Sequence, residues 1–150
     1  MHRVAISSTG IYIPPDVITN EELVASFNRF ADQENAMHAA EIEAGTRAPI
    51  PQSSVEFIEK ASGIKRRYVM EKSGVLDPQR MRPKFRARPD SEISMMAEIG
   101  VAAGRDALTR AGKQPEDVDG VICAAANMQR AYPAMAVEIQ TALGIKGLWI

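Results

Sequence analysis

Cys123 is the only cysteine in the 150 residues, and His2 and His38 are the only histidines. A thiol attacks as its thiolate, which needs an electropositive, partly exposed place such as a helix N-terminus or a neighbouring histidine. Cys123 lies instead within Val121-Ile122-Cys123-Ala124-Ala125-Ala126, an apolar run, and reads as a packed core thiol. A single cysteine also excludes an intramolecular disulfide and zinc sites built on paired cysteines. Neither histidine sits at a ligand spacing or has an obvious partner for a Ser-His-Asp triad, and no P-loop is present. The sequence therefore assigns no catalytic residue, no metal site and no covalently bound cofactor to this chain.

The stretch from Lys60 to Arg88 carries Lys65, Arg66, Arg67, Lys72, Arg80, Arg82, Lys84, Arg86 and Arg88. Two readings stand: a solvated loop, or a dock for an anion such as a nucleotide phosphate or an acidic partner protein. Its prolines and its scarcity of interleaved aromatics, Tyr68 and Phe85 alone, argue against a nucleic-acid groove. A net charge of −1 gives no global pull toward nucleic acid or an anionic membrane. Apolar residues at 45% and charged residues at 25% fit a globular chain, and the length fits one domain over 1–150. The start lacks the apolar core of a signal peptide, and no apolar run approaches the roughly 20 residues that span a bilayer. A cytoplasmic protein with no membrane contact is expected.

These residues must be positioned by regular elements. Val4 to Thr9 is short, β-branched and apolar, which predicts a buried strand ended by Gly10. Pro14 and Pro15 stiffen the loop that follows, and Thr19 or Asn20 can cap a helix with Glu21 and Glu22 in its first turn. Leu23, Phe27 and Phe30 share one face of that helix. Its continuation from Ala31 is polar, with Gly45 as a stop. Ser53 and Glu56 have capping-box spacing before a short helix ended by Gly63, and residues 64–70 read as a strand with a basic face. Residues 71–92 are proline-rich and lack apolar periodicity. Ser91 can cap a helix running to Gly112 on Ile93, Ala97, Val101 and Leu108. Residues 121–126 form a strand apolar on both faces, as in a covered parallel sheet. A last helix runs from Ala134 to Leu143, and Leu148-Trp149-Ile150 opens another strand. Alternation of strand and helix predicts an α/β fold in which the loop 127–133 lies near any site.

Four segments together resemble the N-terminal half of β-ketoacyl-acyl-carrier-protein synthase III, a family of thiolase-superfamily condensing enzymes. They are Ser8-Thr9-Gly10-Ile11-Tyr12-Ile13-Pro14; Val55-Glu56-Phe57-Ile58 through Ser62-Gly63-Ile64-Lys65-Arg66-Arg67-Tyr68; Asp117-Val118-Asp119-Gly120-Val121-Ile122 after an Ala-rich helix; and Ala131-Tyr132-Pro133-Ala134 leading to Leu143-Gly144-Ile145-Lys146-Gly147. The resemblance implies an α/β, thiolase-like fold with a mostly parallel sheet covered by helices. It implies an acyltransferase that loads a cysteine and then performs a decarboxylative Claisen condensation with a malonyl thioester. That cysteine, with its histidine and asparagine, is expected beyond Ile150.

Carried over by position, Phe57 matches an aromatic that stacks on the adenine of coenzyme A, and Ser62 a hydroxyl beside the entrance. Ala126 and Asn127 match pocket-lining positions, and Tyr132 an aromatic that reaches the partner subunit's pocket in a homodimer. Ala61 stands where the family often has an arginine. Acyl-coenzyme A, acyl carrier protein, or both, are the implied substrates. Lys65, Arg66, Arg82, Lys84, Arg86 and Arg88 are the expected contacts for the acidic carrier. A polar insert near 31–52 and the basic loop near 71–92 exceed the family pattern. Rival readings are a non-catalytic binding or assembly subunit, and another superfamily synthase of hydroxymethylglutaryl or head-to-head type.

Overall fold

A computed structural model describes residues 4–147, so the strand expected at Leu148-Trp149-Ile150 lies outside the described residues. The chain divides into two compact units, one formed by Ile13–Arg86 and the other by Met1–Tyr12 with Ala87–Ile150.

In the first unit, strand β1 (Asp16–Thr19) leads directly into helix α1 (Asn20–Met37). Thr19 is the cap: its hydroxyl accepts the Glu22 N–H, and Glu22 returns a carboxylate oxygen to the Thr19 N–H at 3.1 Å. The other Glu22 oxygen takes the Lys72 ammonium at 2.8 Å, and this bond is the main reason the carboxyl is held below its ordinary pKa. β1 pairs antiparallel with β2 (Arg66–Val69), in the register Asp16 to Val69 and Thr19 to Arg66. The pair is locked at α1 by Asn20, whose side chain donates to the Ile64 carbonyl and accepts from Arg67, both at 2.8 Å. Helix α1 breaks at His38, and the short α2 (Ala39–Glu43) precedes the turn at Gly45. The polar segment that returns from that turn is stitched to α1 through Asn35 to Ile50 and Asn28 to Ser53.

Helix α3 (Val55–Ser62) ends at Gly63 as expected, but its cap is Ser54 rather than Ser53. Ser53 spends its backbone N–H and carbonyl on Asn28, so the neighbouring serine is left to accept the Phe57 N–H. The loop 71–86 has an internal anchor at Glu71, whose carboxylate accepts from the Ser73 hydroxyl, the Gly74 N–H and the Lys84 N–H. These bonds, that from Ser73 first, lower its pKa from 4.5 to about 2. The folded value lies below the unfolded one. Its stabilisation is therefore fully present above pH 4.5 and lost as pH falls through about 2. By NMR, the Gly74 and Lys84 amide shifts are expected to titrate near that lower value and to stop titrating in Glu71→Gln. A midpoint near 4.5 would remove Glu71 as the anchor.

The second unit is built on α4 (Met95–Ala111) and α5 (Met135–Leu143), whose contact buries Ala97, Val101 and Ile139. Both helices end on glycines in the left-handed conformation, Gly112 at φ 62° and Gly144 at φ 77°. The cap of α4 is Ser94, three residues after the expected Ser91, because a partner on α5 fixes it there. A 3-10 turn, Pro115–Asp117, follows α4. The segment 4–12 lies along α4: the Ser8 hydroxyl donates to the Ala107 carbonyl at 2.7 Å, and the Ile11 N–H to Asp106 at 3.1 Å.

The helices and the small sheet agree with the α/β class, and one expectation is narrowed. Among the described residues the only ladder is the antiparallel β1–β2 pair. Segments 4–9 and 121–126 run without ladder pairing, and Val4, Ile6 and Ile122 are almost fully exposed. A strand is completed by its neighbour, and apolar patterning alone supplies none. β1 went unanticipated for the converse reason: its partner strand, not its own pattern, makes it a strand. No helix among the described residues is long and apolar enough to cross a membrane.

Candidate functional site

The five expected site residues fall in different units, Phe57 and Ser62 in one and Ala126, Asn127 and Tyr132 in the other. Each group is a local surface with its own chemistry.

Phe57 stands in the first turn of α3, 66% exposed, and forms one wall of a groove of about 490 Å³ with Phe27, Pro51, Gln52, Ser53 and Ser54. The exposed ring offers a π face for stacking a planar group. The helix N-terminus beside it is already served. Ser54 caps it, and Glu56 has its pKa lowered first by its own backbone N–H and then by the Ser54 hydroxyl. A phosphate brought to that end would meet the Glu56 carboxylate, so the groove suits a flat base better than an anion. Ser62 is exposed, and its hydroxyl is engaged locally, donating to the Ile58 carbonyl at 2.7 Å and accepting the Ile64 N–H at 3.2 Å. Ala61 places no cation there.

In the second unit, Ala126 and Asn127 are exposed, and Tyr132 is 90% exposed. Between them Gln129 is exposed and the Arg130 side chain is largely buried. Gln129 accepts the Met96 N–H at 3.2 Å, and Arg130 reaches Glu138 at 3.1 Å. Glu138, with a side chain only 5% exposed, also accepts from the Ser94 N–H at 2.9 Å and the Ser94 hydroxyl at 2.6 Å. Sequence reasoning missed this network. The one available signal was a carboxylate set among Met135, Val137, Ile139 and Leu143 on an otherwise apolar helix. Cys123 packs against the Ala97, Val101 and Ile139 cluster.

The basic stretch is less free than its composition suggests. Arg88 belongs to the second unit and is drawn to Glu98 at 2.7 Å and to the Ile93 carbonyl. Lys84 lies 3.8 Å from Asp77, Arg66 stacks over the Tyr68 ring at 5.6 Å, and Arg80 donates to the carbonyls of Arg82 and Pro83. Lys65, Arg82 and Arg86 are exposed.

No protein-family profile matches the chain. Individual relatives do. A β-ketodecanoyl-[acyl-carrier-protein] synthase of Pseudomonas aeruginosa is 56% identical over 122 residues, which cover 81% of this chain and 35% of that protein. A β-ketoacyl-[acyl-carrier-protein] synthase III of Erythrobacter litoralis is 29% identical over 147 residues, covering 98% of this chain and 32% of that protein. The crystal structure of 3-oxoacyl-[acyl-carrier-protein] synthase III from Aquifex aeolicus superposes with a TM-score of 0.59 at 23% identity, over 96% of this chain and 32% of that one. That superposition shows a shared fold of the thiolase-like kind. The chain spans about a third of the length of the curated relatives it matches.

Proposed function

The chain belongs to the β-ketoacyl-[acyl-carrier-protein] synthase III family and matches its N-terminal part, and from that premise we propose a medium-chain condensing activity for the longer protein. The single observation that carries this reading is the 56% identity to a synthase named for a β-ketodecanoyl product. A β-ketodecanoyl group has ten carbons. Decarboxylative condensation adds two of them from malonate, so the acyl donor would carry eight. The cysteine thiolate attacks the donor thioester and expels its carrier thiol. Malonyl thioester then loses carbon dioxide, and the enolate carbon so formed attacks the acyl-enzyme and releases the cysteine. The reacting thiol in this reading is supplied outside the described residues, since Cys123 is packed against apolar side chains.

Each surface described above has a place in that reaction. The Phe57 groove, with Ser62 at the far end of α3, would seat the adenine end of a coenzyme A donor. Ala126, Asn127 and Tyr132 would line the acyl pocket, with the exposed Tyr132 ring completing the pocket of a second copy in a homodimer. Lys65, Arg66, Arg82, Lys84 and Arg86 would meet the acidic carrier protein, whose charge is opposite.

The test is a condensation assay on the full-length protein with malonyl-carrier protein and acyl donors of graded length, read by mass spectrometry. Octanoyl thioesters are expected to give the β-ketodecanoyl product in preference to acetyl, with Cys123→Ala unaffected. Turnover confined to acetyl would remove the medium-chain assignment, and no product from any donor would remove the condensing one.

A further inference from the structure

We propose that Arg130 is a positioning residue that sets acyl-chain preference by fixing the turn on which Asn127 and Tyr132 are displayed. The proposal rests on the condensing reading above and goes beyond it, since no part of that reading uses Arg130, Glu138 or Ser94.

The geometry is a three-way clamp within one unit. Glu138 comes from the buried face of α5, and Ser94 is the cap of α4, 44 residues away in sequence. One Glu138 oxygen accepts both the Ser94 N–H at 2.9 Å and the Arg130 guanidinium at 3.1 Å; the other accepts the Ser94 hydroxyl at 2.6 Å. Ser94 keeps its cap at the same time, because its hydroxyl oxygen accepts the Ala97 N–H at 3.3 Å. Arg130 donates further to the carbonyls of Asp90 and Pro89, each at 3.4 Å. With Gln129 accepting the Met96 N–H, two consecutive residues of the 127–133 turn are anchored, one to the first turn of α4 and the other to Glu138 of α5 and the carbonyls of Pro89 and Asp90. The exposed Asn127 and Tyr132 project from either side of that anchor. A planar guanidinium with several fixed donors can hold such a turn in one orientation, which an ammonium on a flexible stem does less well.

A pocket wall displaced by a small distance discriminates chain lengths differently, because one methylene in an apolar pocket already changes selectivity about 10–200-fold. The experiment uses the full-length protein with Arg130→Met and Arg130→Lys. It compares kcat/KM for octanoyl and acetyl donors and measures hydrogen–deuterium exchange over 127–133 and over the interior of α4. Arg130→Met is expected to change the octanoyl-to-acetyl ratio by about tenfold or more. Arg130→Lys is expected to recover part of that change, and faster exchange should be confined to the turn. If Arg130→Met does not fold, Arg130→Lys is read against the parent. An unchanged ratio with a lowered melting temperature would reduce Arg130 to a purely structural role and overturn the proposal. If the parent condenses no acyl donor, the reaction reading fails by itself, and exchange alone decides the clamp. Local loosening of 127–133 upholds it as the turn's anchor, and uniform loosening of the unit overturns it.

Discussion

Replacing Glu138 by alanine is expected to destabilise the protein by about 3–5 kcal/mol, the range found when one partner of a buried ion pair is removed. The Arg130 side chain is 14% exposed and would keep its charge with no carboxylate opposite it. The Ser94 N–H and hydroxyl would lose their acceptors in a site where neither reaches water easily. Burial, not separation, decides the size of the effect. The Arg88–Glu98 pair is shorter, at 2.7 Å against 3.1 Å, but Glu98 is 55% exposed, and such pairs contribute about 0–1 kcal/mol. Denaturant midpoints of the full-length protein should therefore separate Glu138→Ala from Glu98→Ala clearly. Glu138→Gln, which keeps the shape and one acceptor, should fall between them. Equal midpoints for Glu138→Ala and Glu98→Ala would show that Glu138 is effectively solvated.

Gly10→Ala is expected to be strongly destabilising. A methyl at that position would lie 2.9 Å from the Ala107 Cα and still nearer the Ala103 carbonyl oxygen and the Ala107 nitrogen. All three are backbone atoms of α4, so no side chain can rotate away to admit it. Segment 4–12 would have to lift off the helix and strain or break the Ser8 to Ala107 and Ile11 to Asp106 bonds. Overpacking of this kind costs about 1–3 kcal/mol, and each lost hydrogen bond adds roughly 1. Ser8→Ala, which removes one bond without the clash, supplies the comparison. Gly10→Ala should lower the melting temperature well beyond it, and equality between the two would show that the segment yields freely.

Local signals carried much of the fold. The helix start at Thr19 or Asn20, and the glycine stops at Gly63, Gly112 and Gly144, were legible because each depends on neighbours within a few residues; the structure settles the cap on Thr19, with Glu22 closing a capping box. Where two serines competed, sequence alone chose wrongly. Ser54 caps α3 because Asn28 holds Ser53, and Ser94 caps α4 where Glu138 meets it, so both choices were made by residues far along the chain. The apolar runs at 4–9 and 121–126 were read as buried strands, but they carry no ladder and leave Val4, Ile6 and Ile122 exposed, because apolar patterning contains no hydrogen-bond partner. Of the site, the exposed residues came from a resemblance at matching positions. The Arg130 clamp had no short-range signature and appeared only with the geometry.

Helix α4 is gripped from two sides with almost no slack. Gly10 presses on its backbone at Ala103 and Ala107, while Gly100 and Gly104 admit Ile139 and Leu143 of α5 where a methyl at Gly100 would stand 2.6 Å from Ile139 Cδ1. Close-packed contacts of this kind have low compressibility and pass strain on rather than absorb it. The helix thus behaves as a stiff rod between the N-terminal segment and α5, and the 127–133 turn leads directly into α5. A side chain enlarged at Gly10 or at Gly100 would therefore displace the same helix, from different neighbours.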